Sequence, residues 1–265
     1  MDEQRLGRRD LVVLIVVGLA AGFLSGFFGI GGGTVIVPAL VLCGFSQRRA
    51  VATSLAAIVP TAVAASVSYI VEGRVDWAVT GLLIVGIVVG ARLGSALLAR
   101  LPEAVLRWFF VAFMVVIATS QFLVVPPREA TIPLDAVRAV AVVGLGLAVG
   151  VLSGLLGVGG GLIAISALTA LFGSSDLVAR GTSLVMMIPG AATGTFSNVR
   201  KGLVNLRAAA LIALPAIVMT PLGASLARVF SPRINSVLLG CYVVAVILRS
   251  FYAALPKRGA SSPAR

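Results

Sequence analysis

The chain has no histidine, and only nine of its 265 residues are acidic. Those nine, Asp2, Glu3, Asp10, Glu72, Asp76, Glu103, Glu129, Asp135 and Asp176, fall near the start of the chain or in the gaps between apolar stretches. Buried carboxylates and histidines are the usual proton relays and cation ligands of membrane proteins. A carboxylate-lined cation path, a redox metal and an acid–base catalytic pair all lose their material, and whatever is buried is expected to be neutral or positive. Cys43 and Cys241 are far apart and lie in or beside apolar stretches, which gives neither a disulfide framework nor a metal site. The residues therefore predict no enzyme, no metal and no cofactor. Charged residues are scarce overall, at 11% against about 25% in soluble domains.

What is present is apolar. Residues of this kind make up 59% of the chain, and the mean hydropathy is +1.11, more than a soluble fold of this size hides. Long runs extend over Leu11 to Ile30, Ala50 to Val71, Trp77 to Leu98 and Val105 to Val125, then over Ala139 to Val158, Ala179 to Val199, Ala208 to Val229 and Ile234 to Leu255. Each is near the roughly 20 residues that cross a bilayer core. The first run has 20 residues, too many for the h-region of a secretory signal, so a retained helix is expected. The net charge of +12 sits largely in short loops, where it sets orientation by the positive-inside rule. The expected partner is thus a lipid bilayer, with no nucleic acid.

The chain repeats itself. Gly22 to Gly33 reads GFLSGFFGIGGG and Gly150 to Gly161 reads GVLSGLLGVGGG, identical at eight of twelve positions. One extra residue aligns Thr53, Ser54 and Leu55 with Thr182, Ser183 and Leu184, Pro60 with Pro189, Ser68 with Ser197, and Gly73 with Gly202. After each glycine triplet comes a short apolar piece, Thr34 to Phe45 and Leu162 to Phe172, which at about 1.5 Å per residue reaches only about 18 Å into a core of roughly 30 Å. The fold class expected is an all-α polytopic membrane protein of two homologous halves, each with four long transmembrane segments and one short half-helix after a Gly-Gly-Gly break. The halves are residues 1–125 and 139–255, joined by a proline-bearing linker over 126–138 and followed by a tail over 256–265. An inverted arrangement places thirteen basic loop residues on the side of both termini against six opposite, whereas a parallel one gives twelve against seven, so the count favours inversion with cytoplasmic termini.

Duplicated transporters bind substrate at the repeat interface, often where helices are broken. Gly22, Gly26, Gly29 and Gly33 form one helical stripe, matched by Gly150, Gly154, Gly157 and Gly161, and such stripes permit close helix approach. Consecutive glycines at Gly31, Gly32 and Gly33, and at Gly159, Gly160 and Gly161, go further, since three together are poor helix formers. A break there turns backbone N–H groups and a partial positive charge toward the next half-helix's start, which suits a small anion. Neither copy carries the ending of a nucleotide-binding loop. Ser25 and Ser153 lie near the stripes, while Thr53 with Ser54 and Thr182 with Ser183 open the next helices as candidate hydrogen-bonding groups. Thr193, Thr195, Ser197 and Asn198 form a polar run suited to a cavity wall or a helix contact. Arg92 interrupts an apolar run and is either a buried countercharge or a residue that snorkels to the interface. Arg249 reads as an interface anchor. Pro38, Pro60, Pro189, Pro215 and Pro221 allow kinks.

The doubled GxxSGxxGxGGG stretch, Pro38 after its first copy, the Thr-Ser-Leu triplets and the overall length resemble the TauE/SafE family of membrane permeases. The second copy departs in having Ser166 where the first has Pro38. The resemblance implies movement of small sulfur-containing anions, such as sulfite, sulfoacetate or related sulfonates, across the bacterial cytoplasmic membrane. In that reading the glycine triplets, Ser25, Ser153, Thr53, Ser54, Thr182, Ser183 and Arg92 contact the substrate. The alternative is a membrane partner that supports an assembly without transporting.

Overall fold

The computed structural model describes residues 7–123 and 135–254. Among these every regular element is a helix: α1 (Arg8–Phe28), α2 (Gly33–Leu42), α3 (Gln47–Val71), α4 (Trp77–Arg100), α5 (Glu103–Leu123), α6 (Ala136–Leu156), α7 (Gly161–Phe172), α8 (Asp176–Arg200), α9 (Leu206–Val229) and α10 (Pro232–Ala254). Five of them, α1, α3, α4, α6 and α9, are long and apolar enough to cross a membrane. Most of the expected linker and the tail from residue 256 lie outside the described residues, as does the side chain of Arg249.

Several of the scarce polar residues between helices act as caps. Ser46 accepts from Arg49 N and Ser175 from Val178 N, while the carboxylates of Asp76 and Asp135 accept from the first amides of α4 and α6. Each satisfies a donor that a helix start leaves without an intrahelical partner. Inside α2, α3, α8 and α9 the helices continue through Pro38, Pro60, Pro189, Pro215 and Pro221.

Small residues set the helix pairing. Along α1, Gly18, Gly22 and Gly26 face Ile212, Ala216 and Thr220 of α9 in the same chain direction, and a Cβ on Gly22 would lie 2.2 Å from the Ala216 carbonyl oxygen. Gly86, Gly90 and Gly94 of α4 meet Val143, Leu147 and Val151 of α6 in the same way. Between these pairs lie α3 and α8, running antiparallel. The start of α3 meets the residue that caps α9 (Thr53 with Asn205), and the start of α8 meets the residue that caps α4 (Thr182 with Asp76). Of the apolar window of α3, 67% is buried, against 39–44% for the other four candidate spans, so α3 is central and the others present a flank outward. Those flanks carry Val12, Val16, Val89, Val140, Leu214 and Val218, all exposed, as lipid-facing surface requires. α5 packs with α10, and α10 reaches α2 through Thr34 Oγ1 and the Tyr242 hydroxyl, 2.7 Å apart.

The bundle has two recognisable ends. At one, Lys201 Nζ donates to the Ser95 carbonyl and Arg48 to that of Leu101. At the other, Arg180 binds Asp176, and Glu72 pairs with Arg228. These are the Lys201 end and the Arg180 end below.

Candidate functional site

Both glycine triplets break the chain as their composition predicts. α1 stops at Phe28 and α2 starts at Gly33, with Gly32 at φ 74°; α6 stops at Leu156 and α7 starts at Gly161, with Gly160 at φ 85°. That backbone region is open to glycine and strained for other residues. Neither Gly32 nor Gly160 supplies a side-chain cap, so the first amides of the two half-helices face inward without one. Residues 29–34 and 157–162 are wholly buried.

The two loops pack against each other. A Cβ on Gly33 would sit 2.4 Å from the Gly157 carbonyl oxygen, and one on Gly161 2.7 Å from that of Gly29. Both loops share the same apolar neighbours. Met187 Cε lies 2.0 Å from a Cβ placed on Gly31 and 2.3 Å from one on Gly159, and Ile58 approaches Gly31, Gly33 and Gly159. Ile58 and Met187 stand near the midpoints of α3 and α8, so the two central helices cross where the half-helices begin.

The hydroxyl pairs Thr53–Ser54 and Thr182–Ser183 hold this arrangement together across segments far apart in the chain. Ser54 Oγ donates to the Gly157 carbonyl at 2.8 Å, and Ser183 Oγ to those of Gly29 at 3.3 Å and Arg180 at 2.8 Å. Thr53 accepts from Asn205 N and Thr182 from Asp76 N, at 3.1 and 3.0 Å. All four side chains are buried, and in this conformation they bind backbone. Ser25 and Ser153 differ: both are buried, and neither hydroxyl has a hydrogen-bond partner among the described residues. The Ser153 Cβ lies 3.5 Å from a Cβ placed on Gly160, directly before α7. A buried polar group without a partner costs about 1–3 kcal/mol and calls for an explanation.

One alternative about charge that the sequence left open is placed by the structure, and one expectation needs correction. Arg92 is exposed, on the face of α4 that carries Val85, Val89 and Leu93, and the structure does not bring it to the glycine loops. An unpaired cation among apolar neighbours is best accommodated outward, where its long stem carries the charge toward the interface. Among the described residues the buried cation is Arg180, only 2% exposed. Its Nε and one terminal nitrogen each donate to Asp176 Oδ1 at 2.9 Å, and its Nη1 donates to the Phe27 carbonyl. The expectation that no carboxylate is buried therefore fails at Asp176: it lies buried in the first turn of α8, paired with Arg180. Tyr69 Oη donates to the Gly26 carbonyl beside them at 2.9 Å. The sequence signal for this cluster was the i, i+4 spacing of Asp176 and Arg180 at the edge of an apolar run.

At the Lys201 end, Asn198 and Ser95 are fully buried, and Asn198 Oδ1 and Nδ2 and Ser95 Oγ lack hydrogen-bond partners among the described residues. Lys201 reaches over Ser95, and burial together with the nearby Arg100 pushes its pKa below the ordinary lysine value.

A multi-pass helical bundle whose lipid-facing flanks enclose a centre of broken helices and buried polar groups is an architecture that membrane transporters use. The chain matches the sulfite exporter TauE/SafE family over residues 2–121 and 142–265, and it belongs to that family. Members of this family are membrane transporters rather than enzymes. It is 29% identical to the "Probable membrane transporter protein YunE" of Bacillus subtilis (strain 168), over 89% of this chain and 97% of that one. A "Probable membrane transporter protein" of Haemophilus influenzae is 30% identical over 60% of this chain and 63% of its own. No solved structure matches the chain.

Proposed function

We propose that this protein is a secondary transporter or facilitator for small anions, of which sulfite and organosulfur anions such as sulfoacetate fit best. Two uncapped half-helix starts, buried against each other beside the unpartnered Ser25 and Ser153, carry this reading. Helix starts attract anions by dipole and by free N–H groups. The family's name supplies the sulfur oxyanion.

In this proposal the chain is two inverted halves of four long segments and one half-helix each. The like-directed pairs α1 with α9 and α4 with α6, together with the antiparallel α3 and α8, support it. The excess of basic residues at the Lys201 end supports a bacterial inner membrane with both termini cytoplasmic. Gly31, Gly32, Gly33, Gly159, Gly160 and Gly161 bind the anion through their amides, and Ser25 and Ser153 through their hydroxyls. Ser54 and Ser183 exchange a carbonyl for the anion when Met187 and Ile58 withdraw. Thr53 and Thr182 hold the loops that start α9 and α4.

The test is flux. Proteoliposomes holding the purified chain are expected to dissipate a sulfite gradient faster than empty vesicles, and the Ser25→Ala/Ser153→Ala double variant to lose most of that rate at unchanged reconstitution. Decay equal to that of empty vesicles for both sulfite and sulfonates overturns the proposal and leaves the assembly-partner reading.

A further inference from the structure

The two ends of the bundle are related by the duplication but finished differently. The register that aligns Ser68 with Ser197 also aligns Tyr69 with Asn198 and Glu72 with Lys201. At the Arg180 end Tyr69 reaches the Gly26 carbonyl, Glu72 meets Arg228, and Arg180 meets Asp176 and Phe27, while Asn235, whose Nδ2 donates to the Ala227 carbonyl, leaves its Oδ1 without a partner among the described residues. At the Lys201 end Asn198 is shorter than its tyrosine counterpart, and neither its Oδ1 nor its Nδ2 has a partner among the described residues.

Its neighbours share the deficit. Gly194, Asn198 and Lys201 fall at i, i+4 and i+7, on one face of α8 and its C-terminal cap. That face meets α4, because a Cβ on Gly194 would lie 3.5 Å from Ser95 Oγ and Lys201 Nζ is 2.6 Å from the Ser95 carbonyl. On that seam Ser95 Oγ too is buried and has no partner among the described residues, and nearby Arg48 of α3, whose Nη2 donates to Leu101 at the end of α4, leaves its Nε without one. Asn198 and Ser95 are each 0% exposed. Several buried polar atoms without partners on one seam make the closed seam costly, and sequences retain such groups where something else completes them.

We infer that the α4–α8 seam at Ser95 and Asn198, roofed by Lys201, is a second binding station, for a small free oxyanion, at the end where the bundle parts. The amide N–H groups of Asn198, the Ser95 hydroxyl and the ammonium of Lys201 are donors at separate points, which suits a ligand with several acceptor oxygens. Lys201, Arg100 and Arg48 bring positive charge to this end. The Arg180 end, with its ion pairs and tyrosine in place, stays shut while this one opens. The station deepens the transporter reading and rests on it for its purpose, but its binding is measured separately from flux.

The experiment uses the full chain in phosphatidylcholine nanodiscs, with sulfite as probe, and reads both the melting temperature and the affinity. Asn198→Leu is expected to melt higher than the wild type without anion, because it removes a buried group that has no partner, and to bind sulfite about tenfold more weakly. Ser95→Ala, a smaller change, is expected to keep the melting temperature and weaken binding about threefold or more. Unchanged affinity in both variants overturns the inference, as does a lower melting temperature for Asn198→Leu, which would mark Asn198 as structural. Displacement of sulfite by added phosphatidylglycerol also overturns it, assigning the seam to lipid headgroups. A wild type that neither binds sulfite nor moves it sinks the transporter reading as well, whereas wild-type flux with variant binding intact sinks the station alone.

Discussion

Arg180 and Asp176 show why a buried charge depends on its partner. Both are almost fully covered and share two contacts of 2.9 Å, and the Phe27 carbonyl takes a third donor of the guanidinium. Removing one member leaves the other charged and desolvated, so Asp176→Asn is expected to lower unfolding stability by about 3–5 kcal/mol in a detergent melt. Arg92→Gln, which alters an exposed side chain, is expected to stay within about 0.5 kcal/mol of the wild type. Equal effects would refute the distinction drawn between the two arginines. Cys43 lies next to α2, and burial together with the carboxylate of Asp10 holds its thiol above the usual cysteine range. The thiolate, the species that reacts, therefore gains population only as the pH climbs through that raised value. Maleimide labelling of Cys43 in a Cys241→Ser background is expected to be slow at pH 7, to speed up with rising pH, and to speed up again in Asp10→Asn, where the repelling charge is gone.

Among the elements, α4 and α6 come together through glycine backbone. A Cβ on Gly90 would stand 2.2 Å from the Leu147 carbonyl oxygen, whereas one on Gly81 or Gly144 in the same two helices meets nothing within 4 Å. Gly90→Ala must push the helices apart and is expected to cost about 1–3 kcal/mol. Gly144→Ala is expected to gain about 0.5–1 kcal/mol from helix propensity alone. Chemical or thermal unfolding of the two variants checks the pair, and similar values for both would mean that the contact carries no close packing. The half-helices α2 and α7 were legible from their length and from the triplets before them. Their neighbours were not: Met187 and Ile58 belong to distant parts of the chain, and no pattern in either run marks them as the side chains between the two loops.

For the molecule as a whole, the proposed cycle requires the glycine loops to part from the centres of α3 and α8. Shortening the side chain between them removes a barrier to that movement, and it also removes packing. Met187→Ala is expected to raise sulfite flux in proteoliposomes while lowering stability by about 2–5 kcal/mol, the usual range for such a truncation in a core. Flux that falls in step with stability would mean that Met187 only supports the fold. Labelling of Cys43 also reports orientation, because the carboxylate that shifts it belongs to the first turn of α1. With cytoplasmic termini, an impermeant maleimide is expected to label it in inside-out vesicles and spare it in intact cells.

The helical class and the two glycine breaks followed from the sequence alone, because hydropathy over some twenty residues and runs of glycine act locally, on backbone propensity and on partition into lipid. The chain order did not reveal partners. Whether Arg92 or Arg180 lay inside depended on which face of each helix met another helix, and neighbouring positions on a helix point in different directions. The pairing of each Thr-Ser step with a distant segment, and the ion-paired Arg180 beside an unpartnered Asn198 at the opposite end, arose only when segments more than a hundred residues apart were packed together. Burial and hydrogen-bond satisfaction are properties of that packing, so tertiary structure alone decided them.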